Sequence, residues 1–210
     1  ESMTHFVAID TNKDDLDKLA HVPVECRFLA SAFDRQAYVR RKRGKAEIDE
    51  DRLVTQWTGT DYQFRDTQGA GAGQIRMESR LGLYYNLEDD RAGIRRKIDQ
   101  LLQSSTRIGN PWRDNDDRVI RIVIYASVAG GTGSGGFLPM AYLLRQMASD
   151  QGWGRPSVVG VFTLPTAFLE RVKPELHEDI LANGYAALKE GEFLTRQLGH
   201  ELGPWDITVN

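Results

Sequence analysis

The chain has 210 residues, 40% of them apolar and 27% charged, with a formal net charge of −3 at neutral pH. That length gives one domain room for a core and that balance excludes a disordered chain, while the small negative charge excludes a general pull toward nucleic acid or an anionic membrane. No apolar run approaches the ~20 residues that span a bilayer, no basic region followed by an apolar stretch opens the chain, and the single cysteine, Cys26, cannot form an internal disulfide, so a cytoplasmic setting is expected.

His5–Ile9 reads as a short buried strand that ends in a polar turn, Asp10-Thr11-Asn12. A short helix is expected over Asp14–Ala20 and a second strand over Glu25–Ala32. From Asp34 to Asp51 opposite charge blocks adjoin, Arg40 to Arg43 and then Glu47 to Asp51. Such a run reads as a solvated helix or loop, or as a contact for a partner or a phosphate-rich surface. Gly69-Ala70-Gly71-Ala72-Gly73 is a glycine loop that leads into a helix over Gln74–Tyr85. A further helix over Glu88–Gln103 carries Ile94, Ile98 and Leu101 on one face. Val119–Ala126, rich in β-branched residues and nearly continuous, reads as a central strand of a parallel sheet. A helix over Phe137–Ser149, a turn over Gly152–Pro156, a strand over Ser157–Leu164 and a long helix starting near Pro174 follow. This alternation predicts an α/β, Rossmann-like domain with a mainly parallel sheet and helices on both faces.

The segment between the central strand and the next helix carries the chemistry. It runs Ser127-Val128-Ala129-Gly130-Gly131-Thr132-Gly133-Ser134-Gly135-Gly136. Glycine lets backbone and ligand approach closely, and a strand-to-helix junction presents unpaired N–H groups and the positive end of the helix dipole to an anion. Thr132 and Ser134 add hydroxyl donors. Each hydrogen bond to a charged group contributes roughly 1.5–3 kcal/mol, so a few of them make a phosphate site. The Lys-Ser or Lys-Thr of a Walker loop is missing, since Phe137 follows Gly136. The position late in the chain also differs from a dinucleotide fingerprint.

Ala129-Gly130-Gly131-Thr132-Gly133-Ser134-Gly135 resembles the signature of the tubulin/FtsZ superfamily, a small residue followed by Gly-Gly-Thr-Gly-Ser-Gly, and the chain is similar to a bacterial tubulin-like protein. The resemblance extends over the order of elements, with the signature as its tight match. It implies that Gly130, Gly131, Thr132, Gly133, Ser134 and Gly135 hold the phosphates of GTP or GDP, with Mg2+ carried by the nucleotide. The glycine-alanine loop Gly69, Ala70, Gly71, Ala72 and Gly73 is similar to the loop that wraps the terminal phosphate, its other reading being a flexible linker. Asp10 falls in the loop after the second strand of the family, near phosphate or metal, or else stabilises its own turn. Leu164 to Arg171 is similar to the ribose-binding loop. Leu169 separates Phe168 from Glu170 where the family has a Phe-Glu pair, so Glu170 reads as a ribose acceptor or as an exposed carboxylate. Asn183, on the apolar side of the last helix, is a structural hydrogen-bonder or a nucleotide neighbour. Asn210 falls where the family places a base-contacting Asn.

The resemblance further implies that residues 1–210 form one nucleotide-binding domain lacking its first strand and the second domain. The acids that activate water in the family come from the second domain of the next subunit in a filament. The expected protein is therefore a GTP-binding, self-associating cytoskeletal or scaffold GTPase, with little turnover by this chain alone. The alternative is a non-polymerising module that senses nucleotide or scaffolds partners. A dinucleotide enzyme with Asp10 as the ribose acid leaves the Gly130–Gly136 segment unexplained. The four histidines are scattered, with no zinc-site spacing. Replacing Thr132 and Gly133 together by Ala is expected to abolish binding and leave the fold intact.

Overall fold

A computed structural model of the chain describes residues 4–31, 34–43, 62–63, 75–88, 90, 92–107, 120–153 and 156–197. Strand β1 (Ala8–Asp10) leads into helix α1 (Lys13–Asp17), which Asn12 starts by accepting the Asp14 N–H on its side chain. A 3-10 turn (Val24–Cys26) precedes strand β2 (Arg27–Leu29). Helix α2 (Arg35–Arg43) follows, then α3 (Arg76–Glu88) and α4 (Ile94–Arg107). Strand β3 (Arg121–Ser127), helix α5 (Gly131–Asp150), strand β4 (Ser157–Thr163) and helix α6 (His177–Gln197) complete the order, with 3-10 turns at Pro165–Ala167 and Pro174–Leu176. No helix among the described residues is long and apolar enough to cross a membrane.

Both strand pairings are parallel, as the alternation of elements required. β1 lies beside β2 with Ala8 opposite Arg27. β3 lies beside β4 over seven residues, Arg121 opposite Ser157 and Ser127 opposite Thr163. Among the described residues these are two separate two-stranded sheets rather than one. They share a core. Leu83 and Leu87 of α3, Ile94 and Ile98 of α4, and Met140 and Leu143 of α5 form its buried centre, with Ile9 of β1 and Ile122 and Ile124 of β3 packed against it.

β3 is more one-sided than its apolar sequence suggests. Ile122 and Ile124 face the helices, while Tyr125 is 76% exposed and Val123, Val159 and Val161 are also open. Among the described residues the helices thus cover one face of the β3–β4 pair, where a sheet covered on both faces was expected.

The boundary shift that matters for the site concerns α5. Its helix starts at Gly131, six residues before the expected start at Phe137, so the glycine segment is helix rather than loop. Its C-terminal end is closed by Gly152 at φ +80°, whose N–H donates to the Ser149 carbonyl, while the Trp153 N–H donates to that of Ala148. This 5→2 and 6→1 pair is a Schellman end, and the apolar residue that follows it, Trp153, is buried in the shared core together with Ala148.

Candidate functional site

The two sheets meet at their carboxyl ends, the place where open parallel α/β sheets hold ligands. β1 ends at Asp10 and Thr11, and β3 ends at Ser127, directly before α5. The Thr11 and Thr132 hydroxyls are 2.8 Å apart. Thr132 also donates to Asp10 Oδ1 at 3.3 Å, and the same oxygen accepts the Asn12 N–H at 2.9 Å. Asp10 therefore stabilises its own turn and also reaches the signature segment.

Gly130 is the extended N-cap of α5 (φ −89°, ψ 164°), and the first helical bond runs from the Ser134 N–H to its carbonyl at 3.2 Å. The N–H groups of Gly131, Thr132 and Gly133 precede that bond, so no intrahelical acceptor is in register for them. They lie at the positive end of a 20-residue helix. The Ser134 hydroxyl, expected as a phosphate donor, is fully buried and donates to the Gly130 carbonyl at 2.6 Å. Its role in this geometry is to fold the first turn.

The glycines are explained by packing more than by dihedral freedom, because none of those in the segment has a positive φ. A Cβ at Gly133 would overlap the Ser127 carbonyl oxygen, and one at Gly135 the Arg76 carbonyl oxygen. A Cβ at Gly131 would stand 2.9 Å from the Ser79 hydroxyl and 3.0 Å from the Ile75 backbone. The start of α5 is pressed between the end of β3 and the start of α3, and at Gly133 and Gly135 there is no room for a Cβ. Replacing Gly133 by Ala therefore strikes the backbone of β3 and cannot be expected to leave the fold intact.

Asn183 of α6 is buried and donates from Nδ2 to the Ala129 carbonyl at 3.1 Å. It ties the last helix to the residue just before the first turn of α5. The sequence profile of one protein family, described as tubulin like, matches residues 2–198. The chain belongs to the tubulin-like family. No curated protein and no solved structure matches it.

In this tubulin-like chain, Glu170 lies exposed in the turn after Pro165–Ala167. Gly69, Ala70, Gly71, Ala72 and Gly73 lie outside the described residues, as does Asn210. The basic run reads out as helix α2, held to α3 by Lys42 on Glu88 at 2.7 Å, with Arg41 3.6 Å from the same carboxylate.

Four further residues join the site without having been singled out. Thr11 is buried against Thr132. Arg76 and Arg80 of α3 both pair with Glu190 of α6, at 2.8 and 2.6 Å, while donating to the Ser134 and Gly135 carbonyls. Burial alone would raise the Glu190 carboxyl, but the hydrogen bonds and charges of the two arginines outweigh it and hold the group below the ordinary glutamate value. The one trace of this cluster in the sequence is the spacing of Arg76 and Arg80, four residues apart and so on one helix face.

Proposed function

We propose that the chain binds a guanine nucleotide, with the phosphates seated on the first turn of α5 and Asp10 beside them, and that it serves in a self-associating, filament-forming GTPase. The observation that carries this reading is the junction itself. Three N–H groups at the start of a 20-residue helix, those of Gly131, Thr132 and Gly133, lie next to the carboxyl ends of two parallel strand pairs. Membership of the tubulin-like family supports guanine as the base and self-association as the context.

A carboxylate beside a phosphate site repels the ligand unless a cation lies between them. The Asp10 carboxylate and the Thr11 and Thr132 hydroxyls are hard oxygen donors, 2.8 and 3.3 Å from one another along the chain of contacts. That donor set fits a Mg2+ ion that arrives with the nucleotide and keeps most of its waters. Asp10 would hold it, and the ion would neutralise phosphate charge. Water activation is left to a neighbouring subunit, so the isolated chain is expected to turn over little GTP.

The test is mass spectrometry of nucleotide released from the native protein, followed by calorimetric titration with GTP and GDP. Recovery of GDP or GTP is expected, with Asp10→Ala weakening GTP in Mg2+ and losing the dependence of affinity on Mg2+. Recovery of NAD, or no binding of either guanine nucleotide, would overturn the reading. Sedimentation with GTP that rises with protein concentration is expected if the chain carries the self-associating surface. Monodisperse protein with bound nucleotide would instead favour a sensing module.

A further inference from the structure

Helix α5 contains a proline, Pro139, in its third turn. Proline has no N–H, so the Gly135 carbonyl four residues back receives no helical hydrogen bond, and the ring crowds the same carbonyl. A buried carbonyl without a donor is costly, and this one belongs to the turn that carries the phosphate-facing N–H groups. Arg80 of α3 fills the gap, and Arg76, one turn before it, holds the neighbouring carbonyl. Arg80 Nε donates to the Gly135 carbonyl at 2.9 Å, and Arg76 Nη2 donates to the Ser134 carbonyl at 3.0 Å. Glu190 of α6 then fixes both guanidinium groups. It accepts from Arg76 Nη1 and Nη2 at 2.8 Å each, and from Arg80 Nη2 at 2.6 Å. Planar forks held on one carboxylate have few ways to move.

We propose that Arg76, Arg80 and Glu190 are positioning residues of the nucleotide site, a clamp between α3 and α6 in which Arg80 supplies the hydrogen bond Pro139 removes and Arg76 adds a second at the Ser134 carbonyl, and which so sets the first turn of α5. This rests on the nucleotide reading above. Helix carbonyls point toward the C-terminal end and N–H groups toward the N-terminal end. The clamp therefore grips the side of the turn opposite the N–H groups of Gly131, Thr132 and Gly133, and acts on the ligand through the backbone. Pro139 and Arg80 form one device: either the proline is present and the arginine is required, or the N–H returns and it is not.

That dependence supplies the test. GDP and GTP affinities are measured by titration for the wild type, Arg80→Met, Pro139→Ala and the double variant, with thermal melts checking that each is folded. Arg80→Met is expected to weaken binding by at least about tenfold, the worth of one hydrogen bond from a charged donor. Pro139→Ala alone should bind like the wild type, and the double variant should return to within about threefold of it, since an ordinary helical hydrogen bond replaces the arginine. Unchanged affinity in Arg80→Met would overturn the proposal. So would a double variant as weak as Arg80→Met, because the arginine would then act by charge alone. If Arg80→Met does not fold, Glu190→Gln, which keeps the shape and frees the forks, replaces it with the same expected rescue. A wild type that binds neither nucleotide would sink the proposed function only. The clamp would then be judged on the backbone NMR shifts of Gly131–Ser134, which should leave helical values in Arg80→Met and recover with Pro139→Ala; shifts that stay put would overturn it.

Discussion

Gly133, Gly135 and Gly136 stand within four residues of one another and answer to different constraints. A Cβ on Gly133 or Gly135 runs into backbone carbonyls that cannot withdraw, whereas one on Gly136 would meet only the Leu83 side chain at 3.6 Å, an ordinary contact. Glycine inside a helix is less favourable than alanine by about 1 kcal/mol, so Gly136→Ala should raise the melting temperature or leave it unchanged. Gly135→Ala should lower it by the equivalent of several kcal/mol or prevent folding, since α3 must move away. Differential scanning calorimetry of the two variants checks this pair, and a Gly135→Ala chain as stable as the wild type would remove the packing account. At this scale much of the site was legible. The motif Gly130–Gly135 and the neighbouring Asp10 stood out by composition and position. What they do locally was less so, because a bare sequence does not show whether a missing Cβ makes room for a ligand or for a neighbouring helix. Arg76, Arg80 and Glu190 were hidden for another reason: 110 and 114 residues separate the partners, and each alone reads as a solvated helix charge.

Among the elements, α5 decides most. A helix expected from Phe137 places Pro139 in its first turn, where proline is tolerated because that N–H has no partner in any case. The observed start at Gly131 moves the same residue into the interior, and the arginine clamp becomes intelligible only then. Tertiary packing against Ser127, Ile75 and Arg76 overrides the poor helix propensity of the glycines, which is why propensity misplaced the boundary. The clamp also gives α3, α5 and α6 a shared acid sensitivity. Glu190 is held below its ordinary range in the folded chain, opposed by burial and favoured by both arginines. A group with a depressed folded pKa contributes stability above its unfolded value and loses that contribution as the pH falls through the folded one. Melting temperatures recorded from pH 7 down to pH 3 should therefore drop for the wild type below about pH 4.3, the unfolded glutamate value. Glu190→Gln should melt lower at pH 7 and fall less steeply in acid. Parallel curves for the two proteins would show that the carboxylate does not supply this sensitivity.

At the scale of the whole molecule, parallel pairing and the order of strands and helices were readable from periodicity alone, whereas the division into two short sheets among the described residues was not. Continuity of a sheet depends on which segments lie side by side, and no local pattern encodes that. The open face of Val123, Tyr125, Val159 and Val161 has the same origin, since an apolar run does not reveal how many of its sides are covered. One rod connects the distant parts. A helix of 20 residues is ~30 Å long, and α5 begins at the proposed phosphate turn and is followed at its far end by Trp153, locked in the common core. Occupancy of the near end raises the free energy of every opening that unwinds this rod. Deuterium uptake at the Gly152 and Trp153 amides, about 30 Å from the first turn of the helix, should slow when GDP is added. An effect confined to the residues around Thr132 would show instead that α5 breaks at Pro139 into two segments that open independently.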